Sequence, residues 1–137
     1  MFFKKFYLSF FEEKNRIVGL NLFERGISPK WEDPKNANGT TLTLNYEVKD
    51  RDDIALFLTL INKNWAKLML ILIGESLKIA EYVNGIRLID KSQIGKKTLF
   101  RMEIWIRKGY DLSEMESLKT YLQDIFGSLV NESKISV

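Results

Sequence analysis

Two tryptophans with charged neighbours are the residues of this sequence best suited to recognise a ligand. Trp31 is followed by the carboxylates Glu32 and Asp33, and Trp105 comes four residues after Arg101 in a stretch that alternates like a β-strand. Because successive side chains of a strand alternate, Arg101 and Trp105 point to the same face, which we expect to be the uncovered face of the sheet. An indole stacks on a positively charged base with a gain of about 0.5–2 kcal/mol, and a carboxylate accepts from neighbouring N–H groups of guanine. These residues together suit a charged nucleotide.

Basic side chains complete this set. Lys91 lies near the end of the strand predicted before that of Arg101, so both cations could hold phosphates. A phosphate-binding loop of the G-x-x-x-x-G-K type is absent from the sequence, which argues against an ordinary nucleoside triphosphatase.

The 137 residues include no histidine and no cysteine. This composition excludes a Ser-His-Asp triad, a histidine-ligated metal, a thiolate zinc site and a cysteine nucleophile. An enzyme would have to use carboxylates, lysines or tyrosines, and no pair such as Glu32 and Asp33 comes with a positioned nucleophile. We therefore expect a binding protein without catalytic residues, metal or cofactor.

The composition predicts one globular domain spanning residues 1–137. Hydrophobic residues make up 45% and charged residues 28%, and the net charge of +3 mildly favours a polyanionic partner. The longest apolar run, Leu68 to Ile73, is too short for a bilayer core of roughly 30 Å, so no membrane segment is expected.

The first half of the chain predicts a helix, two short strands and a long helix. Residues 2–14 place aromatic side chains at helical spacing and predict an amphipathic helix, and residues 16–23 and 41–46 follow β-like patterns. The central helix has apolar residues every three or four positions, including Trp65, for which we expect a place in the core. Asp50 or Asp52 is suited to cap its start and Gly74 to end it.

The second half predicts two strands and a third helix. The strands lie near residues 86–91 and 99–106, and in the second the even-numbered residues from Phe100 form an apolar face. The helix begins near Ser113, which with Glu116 fits a capping box, and it ends at Gly127. Its inward residues are predicted to be Met115, Leu118, Leu122 and Ile125. This order of elements indicates an α+β domain with helices on one face of an antiparallel sheet.

Several of these stretches resemble the eukaryotic initiation factor 4E family, which binds the 7-methylguanosine cap of messenger RNA. The matching segments, in chain order, are GISPKWED at residues 26–33 with Lys35, Asn36 and Gly39, then Trp65, LILIGES at residues 70–76, Asn84-Gly85-Ile86 and Ile104-Trp105. The resemblance implies a curved antiparallel β-sheet with helices packed on the convex face and a ligand site on the concave face.

The resemblance also implies a role for each of five residues. Trp31 would form one face of the family's two-tryptophan sandwich around the base, and Glu32 would hold the guanine edge. Trp105 would touch the N7-methyl group. Arg101 stands where the family has a lysine on the phosphates, and Lys91 stands at, or one residue from, its phosphate-binding arginine.

A protein partner is implied as well. The family binds a helical motif of initiation factor 4G, or of repressors that mimic it, on its helical side. Ala66, Leu70 and Gly74 occupy matching positions, and Phe2 or Phe3 stands where the family has a tryptophan.

The family's first strand and its second sandwich tryptophan have no counterpart after Met1. Either the recorded start is too late, or Phe10 or Phe11 substitutes, or cap binding is weak. Two hypotheses follow from these alternatives. The first is a cap reader of the cytoplasm, or also of the nucleus, and the second is an interaction module or translational repressor whose cap site is weakened or lost.

Overall fold

The computed structural model describes residues 5–13, 16–48, 54–73, 78–92, 98–127 and 130–135. Its elements in chain order are β1 (Phe6–Glu13), β2 (Arg16–Glu24), β3 (Thr40–Val48), α1 (Ile54–Ile73), a short 3-10 helix (Lys78–Tyr82), β4 (Val83–Asp90), β5 (Thr98–Ile106), α2 (Leu112–Phe126) and β6 (Val130–Lys134). These strands form one sheet in the order β1-β2-β4-β5-β3-β6, and every neighbouring pair is antiparallel.

Both long helices contribute to one hydrophobic core on a single face of the sheet. Trp65 is 7% exposed within this core, so its predicted structural role is confirmed. The buried residues from α1 are Ile61, Trp65, Leu68 and Leu72, and those from α2 are Met115, Leu118, Leu122 and Phe126. The α+β class predicted from the order of elements is therefore confirmed.

Alternation along β5 separates the core from the other face of the sheet. Met102, Ile104 and Ile106 are completely buried against the helices, as their parity predicts. Arg101 and Trp105 lie on the opposite face, which we call the open face. Register places Arg87 of β4 across from Glu103 of β5, on this same face.

The predicted helix over residues 2–14 is wrong where the structure describes it. Residues 6–13 form β1, which pairs with β2 from Phe6 opposite Glu24 to Glu13 opposite Arg16. The aromatic spacing that fits a helix also fits a strand, and aromatic residues pack well on a pleated surface. Pairing with β2 satisfies the backbone of one side of this segment and places Phe6 against the core.

The central helix is confirmed as α1, and its proposed caps Asp50, Asp52 and Gly74 lie outside the described residues. By length and composition alone, Ala55–Leu72 is apolar enough to cross a bilayer. Its inward row packs on the sheet, and 28% of this stretch is buried.

Helix α2 begins differently from the prediction. Asp111 is its N-cap, because the Asp111 Oδ1 atom accepts hydrogen bonds from the backbone N–H groups of Ser113 at 2.7 Å and Glu114 at 3.4 Å. Gly127 ends the helix in the left-handed conformation, as predicted. The chain then forms β6, which the sequence patterns did not predict, beside β3.

Candidate functional site

The loop between β2 and β3, residues 25–39, carries two of the predicted ligand-binding side chains, Trp31 and Glu32. The neighbouring Asp33 carboxylate is used by the loop itself. Its Oδ2 atom accepts from the Ser28 N–H at 2.8 Å, and its Oδ1 atom accepts from the Lys35 N–H at 2.9 Å. Of the two adjacent carboxylates, Asp33 therefore shapes the loop, and Glu32 is exposed to solvent.

Asn36 anchors this loop from inside. Its side chain is almost fully buried, and its Nδ2 group donates to the carbonyl oxygens of Ser28 and Lys30, both at 2.8 Å. Its Oδ1 atom accepts from the Nδ2 group of Asn84, at 2.9 Å. Asn84 also accepts from the Arg107 Nε–H group at 2.9 Å. A continuous polar network thus ties the backbone on both sides of Pro29 to β4.

A pocket of about 570 Å³ lies where the loop meets the open face. Its lining residues are Pro29, Lys30, Trp31, Glu32, Arg87 and Trp105. The Trp31 side chain is 63% exposed, so most of its indole surface is available for stacking. Three of the five predicted cap-binding residues, Trp31, Glu32 and Trp105, are therefore brought together, although Trp105 is distant from the others in the sequence.

Trp105 is buried, so the expectation that it stands on an uncovered face is wrong in this respect. It is 1% exposed, and the Phe23 ring packs edge-on against it with 5.5 Å between the ring centroids. Ile27 and Ile135 complete this second small core on the open face. The indole N–H of Trp105 donates to the Glu103 Oε1 atom at 3.1 Å. Trp105 forms a wall of the pocket, in contrast to the exposed ring of Trp31.

Arg87 is a pocket residue that our sequence analysis missed. Its guanidinium lies 4.7 Å from the centroid of the Phe11 ring and 5.6 Å from that of Trp105. Its Nε–H group donates to Asn21 Oδ1 at 2.8 Å, and its Nη1 atom lies 3.6 Å from Glu103 Oε1. The sequence did contain a signal for it: in the predicted strand at residues 86–91, alternation places Arg87 on the face opposite to that of Ile86 and Leu88, which is the open face.

The charge of Arg87 is maintained inside this cluster. Burial lowers the pKa of the guanidinium from its ordinary value, and the Glu103 carboxylate acts in the opposite direction by raising it. Arginine nevertheless remains protonated in proteins, because its ordinary pKa lies far above neutrality. The pocket therefore contains a permanent cation beside Trp105.

The two predicted phosphate-binding residues do not line the pocket. Arg101 lies on the open face of β5, where its Nε–H group donates to Asn45 Oδ1 at 3.1 Å and its Nη1 atom is 3.9 Å from Glu103. Lys91 follows β4, exposed to solvent, and its backbone N–H donates to the Leu99 carbonyl. Arg101 belongs to the same face as Trp105, and the cations that line the pocket itself are Lys30 and Arg87.

The predicted partner-binding residues that the structure describes lie on the outer surface of α1. Ala66 is exposed, and Leu70 is 74% exposed. Leu56 and Leu60 extend this apolar surface towards the start of the helix. Phe2 and Gly74 lie outside the described residues.

The chemistry available in the pocket is recognition of a flat, charged ligand. Trp31 supplies an aromatic surface, Glu32 an exposed carboxylate, and Lys30 and Arg87 supply cations. Among the residues that the structure describes, no group of three or more acidic side chains is arranged to hold a metal ion.

Comparison with known proteins agrees with this architecture. The sequence model of the family described as "Eukaryotic initiation factor 4E" matches residues 6–136. A curated relative, the eukaryotic translation initiation factor isoform 4E of Arabidopsis thaliana, is 31% identical over 67 residues, which are 49% of this chain and 30% of that protein.

Solved structures of this kind share the fold. The Ascaris suum eIF4E-3 in complex with the m7G cap has a TM-score of 0.65 at 20% identity, covering 85% of this chain and 61% of that chain. The Caenorhabditis elegans eIF4E-3 in complex with the 4E-binding protein Mextli also has a TM-score of 0.65, at 18% identity, covering 80% and 57%. This chain thus spans about three fifths of the length of these structures.

Proposed function

This chain belongs to the eukaryotic initiation factor 4E family, and from that premise we propose that it binds the 7-methylguanosine cap of messenger RNA in translation initiation. The observation that carries the proposal is the pocket lined jointly by Trp31, Glu32 and Trp105. A structural neighbour from Ascaris suum is in complex with the same cap, which supports this choice of ligand.

In the proposed complex, Trp31 stacks on the methylated base and Glu32 reads its edge. Methylation at N7 gives guanine a positive charge, and a cation over an indole gains about 0.5–2 kcal/mol. The same charge strengthens the N–H groups of the base as donors to the Glu32 carboxylate. The exposed ring of Trp31 makes this stacking possible without rearrangement of the core.

We propose that Trp105 contacts the N7-methyl group, which requires the residues that cover its ring to shift because the ring is 1% exposed. We propose Arg101 and Lys91, which lie outside the pocket, for the phosphates. Arg87 adds a positive charge to the pocket wall next to Trp105. Because the methylated base is also positively charged, we expect Arg87 to attract the phosphates of the ligand and not its base. In the free protein Glu103 and Asn21 hold Arg87, and Glu103 and Asn45 hold Arg101. Binding of phosphates would therefore compete with these contacts.

Intrinsic tryptophan fluorescence tests the proposal. Trp31 is exposed while Trp65 and Trp105 are buried, so quenching by a stacked base should come mainly from Trp31. We expect 7-methylguanosine triphosphate to quench the emission, and unmethylated guanosine triphosphate to bind at least tenfold more weakly because its base lacks the positive charge. Equal affinity of the two nucleotides would refute a cap-reading site.

Two variants identify the residues responsible. Trp31→Ala should remove most of the quenching, and Glu32→Gln should weaken binding of the methylated nucleotide about 10- to 100-fold, since hydrogen bonds to a charged group contribute about 1.5–3 kcal/mol. Asp124→Asn, an exposed position on α2, is a matched control for loss of one negative charge and should leave the affinity unchanged. If Glu32→Gln behaves like this control, Glu32 does not contact the base.

The proposed activity is binding, so we infer that the chain is not an enzyme. The place we propose for it is the cytoplasm, where initiation occurs.

The second candidate function is that of a protein-interaction module or translational repressor with a weakened cap site. The exposed leucines of α1 favour it, because an apolar helix face is suited to an amphipathic helix. A helical motif of initiation factor 4G, or of a 4E-binding repressor, is the partner we propose for Ala66 and Leu70, and also for Phe2 and Gly74, which lie outside the described residues.

A labelled helical peptide of the 4G type separates the two functions. We expect Leu70→Asp to weaken peptide binding at least tenfold, because it would place a charge in an apolar interface. Leu112→Asp, at an equally exposed position on α2, is the matched control and should bind normally. Peptide binding without any response to cap analogues would favour the interaction module, and binding of neither ligand would contradict both functions.

A further inference from the structure

The outer edge of β1 is unusually unprotected. Among the residues that the structure describes, β1 pairs with β2 on one side and has no strand on its other side. Its eight residues contain no proline and no glycine, and the irregularity in its pairing with β2 comes only after Phe11. Tyr7, Leu8 and Phe10 are each more than half exposed. Natural edge strands are normally blunted by prolines, bulges or central charges, and a long apolar edge is a template for another strand.

The backbone of β1 defines which residues can pair on that outer side. The Arg25 N–H donates to the Lys5 carbonyl at 2.8 Å, so Lys5 is bonded towards β2. In an antiparallel pair the bonded positions alternate, so the odd-numbered residues up to Phe11 face β2. The N–H and C=O groups of Phe6, Leu8 and Phe10 consequently point to the outer edge.

The sequence of β1 is complementary to itself when it is reversed. If two copies meet antiparallel with Ser9 opposite Ser9, then Lys5 of each copy lies opposite Glu13 of the partner subunit. The even-numbered, outward-bonding residues then meet one another, with Leu8 opposite Phe10 and Phe6 opposite Glu12 of the partner subunit. This is the alternation that an antiparallel ladder requires.

Within the described residues 5–13, neighbouring registers lack the Lys5–Glu13 pair. Centring the pair on Leu8 places Lys5 opposite Phe11, and centring it on Phe10 places Leu8 opposite Glu12 and Tyr7 opposite Glu13. Cross-strand pairs of opposite charge, and of aromatic with aliphatic residues, stabilise a sheet. The register centred on Ser9 is favoured because it combines the Lys5–Glu13 pair with Leu8 opposite Phe10, and these outweigh its one apolar–charged pair, Phe6 opposite Glu12.

We propose that β1 pairs antiparallel with β1 of a second copy of this chain, centred on Ser9, so that the two six-stranded sheets continue across a two-fold axis. The interface is isologous, because each copy contributes the same strand. The central cluster is apolar, with Leu8 and Phe10 from both copies on the helix side of the sheet. Two Lys5–Glu13 pairs close the ends and define the register.

The mass in solution tests this proposal. We expect analytical ultracentrifugation of the full chain to show a concentration-dependent shift from the monomer mass of 16.1 kDa to twice that value. Lys5→Glu or Glu13→Lys alone turns both end pairs into like-charge pairs, and each should weaken dimerisation about tenfold. Lys63→Glu, which makes the same change of charge on the exposed surface of α1, should leave the dimer intact.

Restoration of pairing is the decisive readout. The double variant, which carries both substitutions, restores opposite charges and should dimerise within about threefold of the original chain. An equimolar mixture of the two single variants should form heterodimers for the same reason. A chain that remains monomeric over a roughly hundredfold concentration range overturns the proposal, and so does a dimer that is indifferent to these charges. A dimer disrupted by Leu70→Asp would assign the contact to α1 instead.

Discussion

The buried side chain of Asn36 gives the sharpest test of how the Trp31 loop is held. The substitution Asn36→Asp keeps the shape of the side chain, and its Oδ1 atom can still accept the hydrogen bond from Asn84, but the Nδ2 donor group is lost. The two hydrogen bonds donated to the carbonyls of Ser28 and Lys30 disappear. At neutral pH a carboxylate oxygen then faces two carbonyl oxygens at a site that is 1% exposed.

The expected loss in the free energy of unfolding is about 3 kcal/mol. The two lost bonds together account for about 2 kcal/mol, and leaving buried acceptors opposite a buried charge adds about 1 kcal/mol more. With a urea dependence of about 2 kcal/mol/M, the midpoint of unfolding should fall by about 1.5 M. The loss should be smaller at pH 4, because a protonated carboxyl can donate one of the two bonds.

Urea unfolding followed by circular dichroism measures this change. Asn62→Asp, at an exposed position on α1, provides the same chemical change without burial and should stay within about 0.5 kcal/mol of the original chain. Asn36→Asp should also weaken cap-analogue binding, since its carbonyl acceptors lie on both sides of Pro29 in the Trp31 loop. A loss below about 1 kcal/mol, or one equal to that of Asn62→Asp, would refute the assignment of Asn36 as the anchor.

Four further substitutions have defined outcomes. Trp65→Ala should cost about 3–5 kcal/mol in urea unfolding because it empties a buried site, whereas Trp31→Ala should cost less than about 0.5 kcal/mol. Gly85→Ala should destabilise the fold by about 1–3 kcal/mol, because an added Cβ overlaps the Phe23 ring that packs on Trp105; an unchanged unfolding midpoint would contradict this packing. Asp111→Ala should lower the thermal midpoint by a few degrees at pH 7.

The Asp111 effect has a defined pH dependence. Hydrogen bonds from the Ser113 side chain and from the backbone N–H groups of Ser113 and Glu114 lower the pKa of Asp111. A carboxylate with a lowered pKa stabilises the folded state above its unfolded pKa, and this contribution is lost as the pH falls through the folded value. The difference in midpoint between Asp111→Ala and the original chain should therefore shrink at strongly acidic pH. A difference that is constant across this range would contradict the cap.

Much of the fold could be predicted from the sequence, because the helices and strands depend on the spacing of apolar residues within each segment. The apolar spacing of α1 and α2, the alternation of β5 and the stop at Gly127 are each set within a few residues, and the structure agrees with all of them. Trp31 and Glu32 could also be singled out, because a loop bounded by Pro29 and Pro34 leaves little opportunity to bury them.

The structure differs from the sequence-based predictions mainly where contacts between distant residues decide the conformation. Residues 6–13 carry a pattern compatible with both helix and strand, and hydrogen bonding to β2 decided between them. The capping box at Ser113 was displaced because Asp111, two residues earlier, takes both N–H groups. β6 has too short and polar a pattern to be recognised alone, and it exists because β3 offers an edge.

By itself, the sequence determined the family, the α+β class, the core faces of its helices and the loop that presents Trp31 and Glu32, because each of these depends on neighbours along the chain. Only the tertiary structure decided that Trp105 is buried and that Arg87 lies beside it. Trp105 is covered by Phe23, Ile27 and Ile135, which come from distant parts of the chain. Strand register places Phe23 opposite Gly85 and Gly85 opposite Trp105, and a local pattern contains none of these contacts.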